Sequence, residues 1–243
     1  MPNDKTKIMT DISKTPRLYT ETRLAADGQA ELNAGQAHYL KSVLRMDTGE
    51  HIRAFNPTDG EWIATITDLS KKSATIAPKE QTRTPTEVVP LRLLFPPIKK
   101  HRMDFLIEKS VELGVTELYP VITNRTQMRK INVDRIQAQI IEAAEQCERL
   151  DIPQLHPLQK LDTVIRQWAY GPVLCALERD DQAANYHGER EGSAFLIGPE
   201  GGFDDEERRN LHENKHIIPI SLGPRILRAE TAALYCLSNF SNK

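Results

Sequence analysis

The strongest constraint on the fold is a change of texture at residues 81–90. Ahead of this point, short strand-like runs succeed one another every ten residues or so: Arg17–Glu21, His51–Phe55, Trp62–Thr67 and Ala74–Ala77. Behind it, strands alternate with helices. The segment between, QTRTPTEVVP, is rich in Thr and Pro and has no period, so it reads as a linker. Close-set strands predict a small β-barrel over residues 1–80. Alternating strands and helices predict a parallel α/β sheet over residues 91–243.

Within the first part, Ala34–Leu44 has helical spacing, with Ala37, Leu40, Val43 and Leu44 on one face. Asn56–Gly60 (NPTDG) reads as a turn. In the second part, strands are expected at Leu91–Phe95, Glu117–Ile122, Val173–Leu177, Ala194–Ile197 and Ile217–Leu222. Helices are expected at Met103–Leu113, closed by Gly114, and at Val133–Leu150, Asp162–Trp168, Asp204–His212 and Arg228–Phe240. Asp204 and Glu207 have capping-box spacing.

Composition narrows the class. Of 243 residues, 39% are hydrophobic and 27% charged, which excludes a disordered chain. No apolar run approaches the ~20 residues of a membrane span, and the N-terminus lacks the apolar stretch of a secretory signal. Cys147, Cys175 and Cys236 make neither a disulfide framework nor a zinc motif, which suits a reducing cytoplasm. Net charge is −2, but residues 81–130 carry +4 and residues 131–243 carry −6. The basic excess centres on Lys99, Lys100 and Arg102 and on Arg125 to Lys130. Such a strip either neutralises phosphates or is a solvated helix start.

Two segments place glycines directly after a strand. The first is Ile197-Gly198-Pro199-Glu200-Gly201-Gly202-Phe203. Glycine lets the backbone approach a ligand, and the next helix offers free N–H groups. The second is Leu222-Gly223-Pro224-Arg225-Ile226-Leu227-Arg228-Ala229-Glu230-Thr231. There Leu222, Ile226 and Leu227 can wall an apolar slot with Arg228 and Glu230 at its mouth. Neither segment is a GxGxxG or P-loop motif, which disfavours a nucleotide-phosphate enzyme.

These segments, LIGPEGGF and LGPRILRAETAAL, resemble the RsmE family of 16S ribosomal RNA (uracil-N3) methyltransferases of the SPOUT class. Three further stretches are similar to that family: HYLKSVLR from His38, KHRMDFLIEKSVELGVTELYP from Lys100, and EAAEQCERLDIP from Glu142. The resemblance runs from residue ~17 to ~240; residues 1–16 and the stretch 178–192 carry no counterpart. It implies an N-terminal PUA-like barrel for RNA and a C-terminal domain with a trefoil knot. It also implies bound S-adenosylmethionine, a homodimer, and 16S RNA or the small ribosomal subunit as partner. By the same resemblance the cofactor contacts are Leu177, Gly198, Pro199, Glu200, Gly201, Leu222, Gly223, Ile226, Leu227 and Arg228.

Methyl transfer to uracil N3 requires loss of the N3 proton, which a carboxylate can take while a cation stabilises the uracil anion. Arg228 is the candidate cation, and Glu200 and Glu230 are the candidate carboxylates. Arg17, Arg45, Lys99, Lys100, Arg102 and Arg125 are candidate RNA contacts, and Arg53 is a further phosphate candidate on the barrel. Glu142, Glu145, Gln146 and Arg149 fall at i, i+3, i+4 and i+7 and so share one face of the long helix, as a solvated stripe with a Glu145–Arg149 pair or as a border of the site. No metal is expected: His38, His51 and His101 form no ligand set, and methyl transfer needs none. The alternative reading is a non-catalytic RNA-binding protein that keeps the fold.

Overall fold

The computed structural model describes residues 14–178, 180–186, 188 and 194–241. Residues 1–13, 179, 187, 189–193 and 242–243 lie outside the described residues, so part of the stretch 178–192 does too. The chain forms two compact units: residues up to Glu87 together with Glu145–Ile152, and Val88–Ala144 together with residues from Pro153 onward.

In the first unit, β1 (Arg17–Tyr19), β2 (Ala30–Leu32), a short helix α1 (Ala34–His38), β3 (His51–Asn56), β4 (Gly60–Leu69) and β5 (Ala74–Arg83) follow in order. The strands form one sheet, β1-β3-β4-β5-β2. β1 and β3 are parallel and the other neighbours antiparallel. Three register shifts between β4 and β5 strengthen the local twist. Ile52, Ile66 and Ile76 are fully buried in this unit's core with Leu40 and Ala37. β5 continues to Arg83, three residues into the segment read as a linker. A Cβ on Gly60 would lie 2.1 Å from the Arg83 carbonyl oxygen, so only glycine admits this strand pairing.

α1 starts at a capping box between Asn33 and Gln36. It runs into a π-helical turn, Tyr39–Val43, in which the Leu44 N–H donates to the Tyr39 carbonyl. The wider turn breaks the expected apolar face: Leu40 is buried, whereas Val43 is 60% exposed.

Arg17 does not serve as a candidate RNA contact. Its Nε lies 2.6 Å from Glu61 Oε2, its guanidinium stacks over Phe55 at 3.5 Å, and it donates to the Glu145 and Arg149 carbonyls. Burial lowers its pKa, while its Glu61 partner counters that. Arg53 is buried likewise, with Glu148 2.9 Å away, and it too is withdrawn from phosphate contact.

The same unit corrects the long helix. The helix expected over Val133–Leu150 stops at Gln146, and Glu148 takes φ +62°. Arg149 therefore leaves the helical face and pairs with Asp151, and Glu145 accepts from the Tyr19 N–H. The helical spacing that would set residues 142–149 on one face ends at this break.

In the second unit, β6 (Arg92–Phe95), α2 (Lys100–Glu112), β7 (Glu117–Ile122), α3 (Val133–Gln146), β8 (Gln154–Leu155) and β9 (Gln159–Lys160) come first. Then follow α4 (Leu161–Arg166), β10 (Val173–Ala176), β11 (Ala184–Asn185), β12 (Ala194–Leu196), α5 (Asp205–Glu213), β13 (Ile217–Ser221) and α6 (Ala229–Ser241). The sheet order is β11-β13-β10-β12-β6-β7-β8, with β9 also pairing β7, and all pairs are parallel. Leu93, Leu94, Val173, Cys175, Phe195 and Leu196 are buried, as the continuous apolar runs of a sheet covered on both faces require. Gly114, at φ +90°, ends α2 where it was expected to.

At the opposite end of the strands from the glycine segments, Glu117 Oε1 is 2.7 Å from Arg92 Nε. Glu117 Oε2 accepts from Tyr119 and lies 2.9 Å from His156. Burial pushes this carboxyl up, but the hydrogen bonds from Tyr119 and His156 and the Arg92 charge outweigh it, leaving the pKa below its ordinary value.

Candidate active site

Because β13, β10, β12, β6 and β7 are adjacent and parallel, their C-terminal ends open on one side. That is where a ligand crevice forms in such sheets. A cleft of about 760 Å3 lies there. It is lined by Leu177 after β10, Gly198–Phe203 after β12, and Leu222–Ala229 after β13. Arg125, after β7, and Arg102, in the first turn of α2 after β6, complete it. Every residue named above as a cofactor contact therefore faces one cavity. Leu177, Ile197, Phe203, Ala229 and Ala232 make its buried apolar wall, and Ile226 is 58% exposed at its rim.

The glycines have separate duties. A Cβ on Gly198 would lie 3.0 Å from the buried Phe203 ring. Gly202 has φ +65°, and its N–H donates to the Pro199 carbonyl at 2.8 Å, closing a tight turn. Gly201 has neither constraint: a Cβ there would meet only Arg125 carbons at 3.5 and 3.6 Å. Gly223, at φ +101°, performs the matching turn after β13.

The helix that follows the first glycine segment anchors it. Asp204 Oδ1 accepts from the Glu207 N–H at 2.8 Å and Glu207 Oε2 from the Asp204 N–H at 3.2 Å, the predicted capping box. Asn124, after β7, donates its N–H to Glu207 and its amide to Asp204. Hydrogen bonds from the Glu207 N–H and Asn124 hold the Asp204 carboxyl below its ordinary pKa. Arg125 donates to the Gly201 carbonyl at 2.9 Å, so the β7 loop and the glycine segment form one rim.

The basic strip divides. Lys99 and Lys100 are exposed and do not line the cleft. Arg102 does line it, with its Nη1 3.9 Å from Glu200 Oε1 and its Nε 3.7 Å from Glu230 Oε1. The candidate carboxylates divide as well. Glu200 faces the cleft, whereas Glu230 is buried behind Arg102 and outside the lining. Its Oε2 has no hydrogen-bond partner among the described residues. Arg228 is exposed at the rim.

Sequence reading missed Arg208, which lines the cleft and donates to the Glu178 carbonyl and to Asp180 at 3.2 Å. His212 lies 2.7 Å from the same Asp180 oxygen. An arginine four residues into an amphipathic helix carries no local signal. Among the described residues, no group of three or more His, Cys, Asp or Glu is placed to hold a metal ion, and no helix is long and apolar enough to cross a membrane.

Comparison with known proteins gives the family. A family model described as an RNA methyltransferase domain matches residues 84–241, and one described as an RNA methyltransferase PUA domain matches residues 32–79. The ribosomal RNA small subunit methyltransferase E of Rickettsia conorii is 34% identical over 239 residues, spanning 93% of this chain and 94% of that protein. A crystal structure of the enzyme of the same name from Neisseria gonorrhoeae, bound to S-adenosyl methionine, matches with TM-score 0.82 and 29% identity over 94% of this chain and 97% of that one. A methyltransferase from Legionella pneumophila in complex with the bound cofactor SAM matches with TM-score 0.80 and 32% identity, over 93% and 96%. The chain therefore belongs to the RNA methyltransferase family, with the cleft in its methyltransferase domain and a PUA domain ahead of it.

Proposed function

We propose that this protein transfers the methyl group of S-adenosylmethionine to N3 of a uridine in 16S ribosomal RNA of the small subunit. The observation that carries the reading is the convergence of both glycine segments on one cleft with a buried apolar wall and charged rim. Full-length likeness to proteins named ribosomal RNA small subunit methyltransferase E supports the RNA and subunit, and the cofactor in two similar structures supports S-adenosylmethionine. The choice of N3 rests on the RsmE resemblance.

The residues fit this cofactor. Backbone at Gly198, Gly201, Leu222 and Leu227, all in the cleft lining, would hold it, and Leu177, Ile226 and Leu227 would supply the apolar surface for its adenine. When bound, S-adenosylmethionine supplies an electrophilic methyl group on a sulfonium. The chain's own task is to exclude water, hold the uracil edge toward the methyl group and accommodate the N3 proton. Glu200 is the cleft-facing carboxylate for that proton.

Arg45, exposed in the first unit, and Lys99, Lys100 and Arg125 in the second are the phosphate contacts. The first unit, residues 1–80 extended by β5, holds RNA. The chain acts in the cytoplasm as a homodimer, and its second unit carries the trefoil knot that the RsmE resemblance implies. The direct test is incubation with unmodified small subunits and radiolabelled cofactor. Label recovered as N3-methyluridine supports the reading. Tight cofactor binding with no transfer to subunits or to free 16S RNA leaves a non-catalytic RNA-binding protein.

A further inference from the structure

We propose that Arg102 is the catalytic cation of the cleft, that buried Glu230 is its positioning residue, and that Arg102 exchanges the Glu200 carboxylate for the uracil anion during the reaction. This rests on the methyl-transfer reading above.

Three observations carry it. Arg102 is held between two carboxylates from different segments, Glu200 of the β12 loop and Glu230 of the first turn of α6. The distances, 3.9 and 3.7 Å, are ion pairs too long for hydrogen bonds, so the five guanidinium N–H groups keep donor capacity toward the cleft. Glu230 keeps a buried oxygen without a partner, a costly arrangement that calls for a reason in the site.

The other cleft cations are differently placed. Arg125 and Arg208 spend hydrogen bonds on the Gly201 and Glu178 carbonyls. Arg225 and Arg228 are exposed, where water weakens their field. Arg208 is also paired with a little-exposed carboxylate, Asp180, but it is tied there at hydrogen-bonding distance, whereas Glu230 backs Arg102 at 3.7 Å and leaves its donors for the cleft.

The charge balance follows from the triad. Two carboxylates and one guanidinium leave one negative charge in excess. Uracil presents N3–H between two carbonyls. When the N3 proton moves to a Glu200 oxygen, Glu200 becomes neutral and releases Arg102. The negative charge now lies on N3, O2 and O4, and Arg102 donates to the nearer carbonyl oxygen. The N3 electron pair then forms the bond to the methyl carbon as the carbon–sulfur bond breaks, its electrons remaining on sulfur. Glu200 returns its proton to water. The excess charge thus moves from Glu200 to the uracil while Glu230 and Arg102 stay paired.

The test uses full-length protein and small subunits reconstituted with 16S RNA transcribed with uridine or with 5-fluorouridine, whose N3 proton is more acidic. Arg102→Met should lower kcat about 100-fold on ordinary RNA, with KM for the cofactor changed less than about threefold. Arg102→Lys should recover part of this loss, since it restores the charge without the fork. Glu230→Gln should lower kcat with little change in KM. On 5-fluorouridine RNA, Arg102→Met should regain roughly tenfold relative to wild type, because a more acidic proton needs less help from the cation. Calorimetric binding of S-adenosylmethionine to each variant verifies that the fold stands. A wild-type protein that methylates neither RNA would defeat the methyl-transfer reading itself. An active wild type, with Arg102→Met unimpaired or impaired equally on both RNAs, would overturn this assignment alone.

Discussion

Alanine substitutions along the first glycine segment should have sharply different effects, because its three glycines face different neighbours. At Gly198 the new Cβ would sit 3.0 Å from Cε2 of Phe203, a ring only 5% exposed. Van der Waals contact between carbons needs about 3.5 Å or more, so either the ring or the segment must move by about half an ångström. Phe203 belongs to the cleft wall, and overpacking of this kind costs about 1–3 kcal/mol. The shift falls on the cofactor surface, so S-adenosylmethionine affinity should drop at least about 10-fold, or ~1.4 kcal/mol. At Gly201 the Cβ meets Arg125 carbons at ordinary contact distance, and φ lies outside the left-handed region. Gly201→Ala should therefore change affinity less than about threefold. At Gly202 the Cβ meets nothing, but φ is +65°, so Gly202→Ala should cost ~1 kcal/mol of stability from backbone strain with a smaller effect on affinity. Isothermal titration calorimetry with thermal unfolding reads both quantities. If Gly201→Ala weakened binding more than Gly198→Ala, the assignment of duties within the segment would be wrong.

Other outcomes follow from the two units and from the cleft. Arg17→Ala removes the 2.6 Å partner of the buried Glu61 carboxylate, leaving it Thr82 and Arg53 at 4.0 Å, and should destabilise the first unit by about 3 kcal/mol in denaturant unfolding; a loss under 1 kcal/mol would refute its structural role. Asp204→Ala removes the α5 cap and the Asn124 contact and should cost ~1 kcal/mol, lowering Tm by about 2–4 °C. Glu117, held below its ordinary pKa in the folded state, contributes stability that is present above its unfolded value, 4.5, and lost as pH falls through the lower folded value. Glu117→Gln should therefore flatten the acid limb of stability against pH below ~4.5, which urea titrations at several pH values would show. Light scattering at micromolar concentration should give about twice 27.6 kDa, and a stable active monomer would contradict the dimer.

Much of the second unit was legible because its rules are local. Apolar runs such as Leu93–Phe95 and Phe195–Leu196 can be satisfied only in a sheet covered on both faces, and Asp204 with Glu207 announces a helix start. Glycine placement after two strands pointed to the cleft because parallel strands must bring those ends together. What was not legible depends on distant partners. Arg17, a surface residue by type, is buried because Glu61, 44 positions away, and Phe55 meet it. The end of α3 is set by a left-handed residue at Glu148, a conformation nothing in EQCERLD demands. Arg102 read as one cation of a strip, and only folding sets it between Glu200 and Glu230, 98 and 128 residues further on.

The central claim is that the cleft at the ends of β10, β12 and β13 methylates N3 of a 16S uridine. The most direct measurement is nucleoside mass spectrometry of 16S RNA from cells with the gene, without it, and without it but carrying the Gly198→Ala variant. The account predicts that N3-methyluridine is present in the first, absent in the second, and reduced in the third at equal protein level. N3-methyluridine retained in full in the cells lacking the gene would contradict it.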